Sequence, residues 1–307
     1  MKKRIQNRLA ESRFAFPVMI IYGLAVWLGA GTVAEGAYLQ LAFFVASTLL
    51  MMMLNNTNSL IRIYSRMVSC SFVAMTCAAT FLFSSLESCA TGMCLILFYL
   101  SLLRSYQDKR APGIAFYSFA CLGIASLFFV QILYFVPFLW ILMASNMMAL
   151  THRMFWATVL GLVMPYWFAV GYYVVTNQFD AFIDHFAELA QFEPLLQYEA
   201  LDIHRIATFG LVVLLAVIGI IHYMRNSYQD KIRTRMIFEM FITVDILSFV
   251  FIILQPQHFD NLLPIIIVNT SCLFAHYVAL TRTWLTNVTF IVMCLATLGL
   301  TIFNLMP

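Results

Sequence analysis

The chain has 307 residues, of which 63% are hydrophobic and only 10% are charged. Soluble domains carry roughly 25% charged residues, so a water-soluble fold of this size could not cover its surface with so few. Apolar runs of about 15 to 22 residues recur along the whole chain, close to the length that spans a bilayer as a helix. They do not alternate in polarity as membrane barrel strands do. The composition predicts an all-α, polytopic transmembrane helical bundle, with 1–307 as a single integral membrane domain.

Eleven apolar segments are predicted to cross the membrane. They are 14–31, 38–54, 66–84, 89–103, 112–129, 131–149, 154–175, 206–224, 237–254, 262–280 and 286–305. The break between the fifth and sixth segments depends only on Gln131 and Pro137, which interrupt a long apolar run. A basic stretch before the first segment is also typical of signal peptides, but a signal anchor that stays in the chain is the simpler interpretation.

Lysine and arginine predict the orientation of these segments. Sixteen of the seventeen fall on one side, in the tail 1–13 and in the loops after the second, fourth, sixth, eighth and tenth segments. The positive-inside rule makes that side the cytoplasm, so the N-terminus is predicted inside and the C-terminus outside. Arg205 is the only basic residue on the outer side. The expected location is the bacterial inner membrane, with the lipid bilayer as partner and no nucleic acid.

The outer loop 177–204, between the seventh and eighth segments, is the most acidic part of the chain. Its apolar residues recur at spacings of three and four, at Phe179, Phe182, Phe186 and Leu189. Its acids recur at four on another face, at Asp180, Asp184 and Glu188. This pattern predicts an amphipathic interfacial helix near 179–192, ended by Pro194. It is either a connector with a solvated acidic face or a lid over an outward-facing cavity.

Two acids lie inside the predicted ninth segment, where charge is costly and rare. Glu239 lies about two residues from the start, so it can reach the interface and pair with Arg235. Asp245 lies about 12 Å into the segment and must face other helices or water. Candidate partners on the tenth segment are Asn269, Thr270 and His276. Asp245 then either makes a structural hydrogen bond between helices or takes part in proton or substrate movement.

Few short motifs stand out. The pentapeptide Ser-Tyr-Gln-Asp-Lys occurs at 105–109 and again at 227–231, both in predicted cytoplasmic loops, and both a duplication and a chance match are open. The seven cysteines include no CxxC spacing, so they are predicted to be packing residues. The histidines show no metal-ligand spacing, and no nucleotide-binding fingerprint occurs, so no metal site is predicted.

Two stretches resemble a known class of membrane enzyme. Glu35 lies in the first outer loop within the sequence VAEGAY, and residues 123–137 read GIASLFFVQILYFVP. Both resemble motifs of the GT-C glycosyltransferases, which place an acidic residue just after their first helix. The resemblance covers helix order over about 14–175. It implies a polyprenol-phosphate-linked sugar as substrate, a role in cell-envelope glycan assembly and Glu35 as the catalytic base. It also implies a divalent metal as an optional cofactor; otherwise no cofactor is predicted.

The chain also departs from that class. It is short, no second acidic motif stands out on the outer side, and no soluble C-terminal domain is expected, so a degenerate relative is an alternative. Glycosyl transfer needs a base for the acceptor hydroxyl and positive charge at the leaving phosphate. Glu35 is the candidate base, Arg205 the candidate phosphate ligand, and His258 and Asp260 are further substrate-binding candidates. Solvated loop side chains are the alternative for Glu35 and His258.

Two other functions are compatible with the same sequence. A non-catalytic membrane subunit would pack its helices against a membrane-protein partner in an envelope complex. An ion-coupled transporter would use Asp245, with Glu239 and His276 as neighbouring intramembrane polar residues, and the acidic outer loop as the path of the ion.

Overall fold

The computed structural model describes residues 4–191 and 201–306, and in those residues every regular element is a helix. The structure is 83% helical. The α-helices are α1 Ile5–Ala10, α2 Ala15–Gly29, α3 Tyr38–Asn58, α4 Met67–Ala78, α5 Leu86–Leu102, α6 Pro112–Phe128, α7 Val136–Ser145, α8 His152–Val175, α9 Phe179–Ala187, α10 Ile203–Asn226, α11 Ile232–Leu254, α12 Phe259–Leu280 and α13 Trp284–Leu305. The predicted all-α class is confirmed.

Seven helices of the described residues are long and apolar enough to cross a membrane, in agreement with an integral membrane protein. They are Tyr38–Asn58, Leu86–Ser105, His152–Val175, Ile203–Gln229, Ile232–Leu254, Pro256–Leu280 and Trp284–Leu305. Four shorter apolar helices, Ala15–Gly29, Met67–Ala78, Pro112–Phe128 and Val130–Ser145, coincide with the other predicted segments. The count of eleven crossings and the orientation of the termini stay predictions.

The break between the fifth and sixth segments has a clear structural form. Phe129 is extended, with φ −141° and ψ 90°, and a 3₁₀ turn over Val130–Phe135 follows it. The helix α7 then begins with Pro137 in its first turn, where a residue without an N–H loses no hydrogen bond. The backbone N–H of Gln107 donates to the carbonyl of Met147 at 2.9 Å, so the end of α7 returns to the start of α6 and the chain reverses direction within this almost wholly apolar stretch.

Side-chain hydrogen bonds gather the loops at two opposite ends of the bundle. At one end Arg62 donates to Gln229 at 2.7 Å, and Arg233 donates to the carbonyl of Leu103 at 3.0 Å. We call this the basic end, because the loops 59–66, 103–111, 146–151 and 227–231 are joined there by hydrogen bonds and carry six of the seventeen Arg and Lys residues. The far end is formed by the loops 30–37, 79–85 and 255–258 together with the start of α10.

The helix α12 lies at the centre of the bundle. It packs against α4, α5, α10 and α11, and 94% of its membrane-length window is buried. A helix that is apolar on all sides is expected in such a position. Its few polar side chains, among them Asn269, Thr270 and His276, are therefore buried and have to find partners on neighbouring helices.

The acidic loop begins as predicted, with the amphipathic helix α9 over Phe179–Ala187 and a 3₁₀ turn over Glu188–Ala190. Its apolar face packs on α8, where the rings of Phe186 and Tyr166 are 4.9 Å apart. The carbonyl of Leu189 accepts a hydrogen bond from Tyr134. The acids Asp180, Asp184 and Glu188 are exposed. The predicted end of this helix at Pro194 lies outside the described residues.

The two copies of the repeated pentapeptide make different contacts. Asp108 is exposed and accepts a hydrogen bond from the backbone N–H of Arg110 in its own loop. The side chain of Asp230 is only 3% exposed and bonds to His276 of α12 at 2.9 Å. The identity of the five residues therefore does not give the two loops the same structure.

Candidate functional site

A polar pocket of about 350 Å³ lies at the far end of the bundle. Four chain segments form it: the loop after α2, the loop 79–85 after α4, the start of α10 and the end of α13. Glu35 and Arg205 both line it, although they lie far apart in the sequence. The structure thus brings the predicted base and the predicted phosphate ligand to one cavity.

The loop 30–37 presents Glu35 at the rim of this pocket. Gly31 and Gly36 have positive φ values of 74° and 90°, which glycine adopts without strain. The backbone N–H of Ala37 donates to the carbonyl of Thr32 at 3.1 Å and closes the loop. The Glu35 side chain is exposed, and its carboxylate makes no hydrogen bond to any described residue. It is therefore available to accept hydrogen bonds from a ligand.

Arg205 enters the pocket already paired. Its Nε donates to Asp260 Oδ1 at 2.9 Å and its Nη2 to Oδ2 at 2.8 Å, the two-point geometry that suits a guanidinium and a carboxylate. Its Cζ also lies 5.3 Å from the ring centre of Phe81. The predicted substrate-binding residue Asp260 thus orients Arg205, and only Nη1 lacks a hydrogen bond to the described residues.

His258 is not among the residues that line the pocket. Its ring lies 5.6 Å from that of Phe129 and 5.8 Å from that of Phe251. It belongs to an aromatic cluster beside an apolar groove of about 310 Å³ lined by Tyr134 and Val250. The structure therefore separates His258 from Glu35 and Arg205.

Two side chains of the pocket, His204 and Asn304, were not among the site residues predicted from the sequence. The Nδ1 atom of His204 lies 2.8 Å from Oδ1 of Asn304, which is 100 residues further along the chain, and both residues line the pocket. His204 also stacks on Phe303, with ring centres 4.5 Å apart. The available signal was the amide Asn304 inside an apolar run, because such a group has to find a partner.

An apolar groove of about 400 Å³ lies between α2 and α13, with α4 behind it. Val18, Ala74 and Met293 are among its lining residues. Above it, the hydroxyls of Tyr22 and Thr301 form a hydrogen bond of 2.9 Å between α2 and α13. The polar pocket follows at the ends of the same two helices.

The intramembrane polar residues have separate partners. Asp245 is fully buried, and its Oδ2 accepts a hydrogen bond from Thr270 at 3.0 Å. Tyr99 donates to Asn269 at 2.9 Å, so this candidate partner of Asp245 is bonded to another residue. His276 is likewise taken by Asp230. Neither the far-end pocket nor the groove below it includes Asp245.

Glu239 lies near the basic end of α11, as its distance from the segment start predicted. Asn146 donates to its Oε2 at 2.9 Å. The expected ion pair with Arg235 is not among those formed by the described residues, and the carboxylate faces the loop before α8, where Asn146 lies. Within residues 4–191 and 201–306, no group of three or more His, Cys, Asp or Glu could hold a metal ion.

No protein-family model matches the chain, and no curated protein or solved structure matches it significantly. What the far-end pocket does is therefore inferred from its chemistry and from its place in the bundle.

Proposed function

We propose that this protein is a membrane enzyme of glycan assembly that acts on a lipid-linked sugar, in the manner of the GT-C glycosyltransferases. The observation that carries the proposal is the alignment of the two cavities. The apolar groove lies between α2 and α13 with α4 behind it, and the polar pocket lies at the ends of α2 and α13, beside the loop that follows α4. An amphiphile fits this arrangement, with its chain in the groove and its head group in the pocket.

The distances along α13 suit such a ligand. The groove reaches Leu298, and the pocket begins at Asn304. Asn304 lies six positions beyond Leu298, which is a rise of roughly 9 Å at 1.5 Å per residue. A lipid entering sideways from the bilayer spans that distance with a few carbon atoms and passes the Tyr22–Thr301 hydrogen bond on the way.

The pocket offers groups that bind a hydroxyl-rich head group carrying one phosphate. The carboxylates of Glu35 and Asp202 accept hydrogen bonds from hydroxyls. Arg205 provides the positive charge for the phosphate, and its two bonds to Asp260 hold the guanidinium so that Nη1 is left for the ligand. Glu35 and His204, which both line the pocket, are the two candidates to accept the proton of an attacking hydroxyl.

Transfer from a radiolabelled polyprenyl-phosphate hexose to a sugar acceptor, measured in proteoliposomes, tests the proposal. Glu35→Gln loses a charged hydrogen bond worth about 1.5–3 kcal/mol, so transfer should fall by roughly 10- to 150-fold. Glu87→Gln is the matched control, because Glu87 is an exposed carboxylate at the same end but outside the pocket. Equal activity of the two variants, with unchanged envelope glycans in cells, would contradict the proposal.

The groove is tested separately with the same lipid carrying a photoreactive prenyl chain. Ala74→Phe fills the floor of the α2–α13 groove and should reduce cross-linking, whereas Val250→Phe fills the groove beside His258 and should not. A stable complex that copurifies, with Glu35 and Asp245 both dispensable, would instead indicate a non-catalytic subunit. Loss of proton-coupled uptake in Asp245→Asn alone would indicate a transporter.

A further inference from the structure

His204 is held more firmly than any other ionisable group of the far-end pocket except the Arg205–Asp260 pair. Stacking on Phe303, at 4.5 Å and an interplanar angle of 25°, fixes the plane of the imidazole. The contact between Nδ1 and Asn304 Oδ1, at 2.8 Å, fixes its rotation within that plane. A base is effective when its geometry is set before the substrate arrives.

The hydrogen bonds of Asn304 decide which way its side-chain amide faces. Its Nδ2 lies 2.6 Å from the carbonyl oxygen of Ala78, which can only accept. Its second Nδ2 hydrogen goes to the hydroxyl of Thr208 at 2.9 Å. The hydroxyl hydrogen of Thr208 is already donated to the carbonyl of His204 at 2.7 Å, so the hydroxyl accepts from Asn304. Both amide hydrogens are thereby used.

It follows that Asn304 presents its Oδ1, an acceptor, to His204. The Nδ1 atom of His204 must then carry a hydrogen and donate it. In the neutral imidazole, Nε2 is left with the lone pair, and His204 lines the pocket. Nε2 has no hydrogen-bond partner among the described residues, so it is open to a ligand.

We propose that His204 is the base of the reaction and that Asn304 is its positioning residue; the proposal rests on the function proposed above. Nε2 of His204 takes the proton of the acceptor hydroxyl while the oxygen of that hydroxyl forms a bond to the anomeric carbon of the sugar. The bond from that carbon to the phosphate oxygen breaks, and the phosphate leaves with the electron pair. The imidazolium then returns its proton to the phosphate or to water.

This assignment gives His204 and Glu35 different roles. No described residue holds the Glu35 carboxylate, whereas His204 is fixed by Phe303 and Asn304. Glu35 then binds sugar hydroxyls, and the base predicted from the sequence is replaced by a residue from the start of α10.

The tautomer is tested by nitrogen NMR of the full chain in lipid nanodiscs with ¹⁵N-labelled histidine, the His204 signals being assigned by their loss in His204→Gln. We expect the hydrogen on Nδ1 in the wild-type protein at neutral pH and a shift toward Nε2–H in Asn304→Leu, which lacks the acceptor. A wild-type ring with its hydrogen on Nε2 would overturn the assignment, whether or not the Asn304 variant folds.

The chemical role is tested with the polyprenyl-phosphate hexose assay. His204→Gln should lower transfer by about 100-fold or more. His185→Gln is the control, because His185 lies at the same end but bonds to the carbonyl of Ser126.

The outcomes separate this inference from the function on which it rests. If the wild-type protein transfers no sugar, the proposed function fails, and the NMR result still decides the tautomer. If the wild type transfers sugar and His204→Gln keeps the wild-type rate, only the assignment of His204 as the base is overturned.

Discussion

The close contact between α6 and α8 depends on Gly161. A Cβ atom added there would lie 2.3 Å from the carbonyl oxygen of Phe116 and 3.1 Å from the backbone nitrogen of Ala120. Contacts of this kind normally stay above about 3 Å in a close-packed interior, so Gly161→Ala must push the two backbones apart by roughly 1 Å. Small residues allow such an approach between helices in a membrane.

The expected change in the free energy of unfolding is the difference between two opposing effects. Overpacking of this kind costs about 1–3 kcal/mol, whereas alanine improves helix propensity over glycine by up to about 1 kcal/mol. Gly171 provides the matched control, because it lies on the same helix and a Cβ atom added there would have no other atom within 4 Å. Gly171→Ala should keep only the propensity gain, so the two alanine variants should differ in stability by about 1–3 kcal/mol.

Equilibrium unfolding in mixed detergent micelles, followed by tryptophan fluorescence, measures this difference. We expect Gly161→Ala to unfold at a lower denaturant fraction than the wild type, and Gly171→Ala to unfold at the same or a higher one. Indistinguishable unfolding curves for the two variants would refute the inferred contact between Gly161 and Phe116.

Two further predictions concern the basic end and the orientation. Asp230→Ala leaves the His276 ring, which is only 1% exposed, without its partner and should lower the free energy of unfolding by about 1–3 kcal/mol. Asp108→Ala in the other pentapeptide copy should change it by less than about 0.5 kcal/mol. Equal losses in the same unfolding assay would contradict the difference between the two loops. An alkaline phosphatase fused after the last residue should be active in a bacterial host and a fluorescent protein at that position dark, because the C-terminus is predicted outside; the reverse result would invert the orientation.

The helical segments could be predicted because their signals are local. An apolar run long enough to cross a bilayer needs no knowledge of its neighbours, and a basic loop marks the end at which it lies. The weak break near Gln131 could also be predicted, since Pro137 suits the first turn of a new helix. Asp245 was likewise expected to need a partner, and Thr270 provides it.

The site could not be predicted in the same way, because it depends on which helices become neighbours. In a membrane bundle both the lipid-facing and the buried sides of a helix are apolar, so the sequence period does not show which side packs inward. The order of α2, α10 and α13 around α4 and α12 therefore could not be predicted from the sequence. For the same reason the sequence did not show that Glu35 and Arg205 line one pocket.

Polar residues within such helices are still informative, because each one requires particular hydrogen-bond donors or acceptors as partners. Arg205 requires an acceptor at the far end, and Asp260 is a carboxylate at that end. Asn304 has two hydrogens and one oxygen to satisfy near the end of α13, and its contacts with Ala78, Thr208 and His204 satisfy all three. An amide within an apolar run is rarely tolerated without such partners. The position of Asn304 in the sequence therefore indicated a polar site near the end of α13.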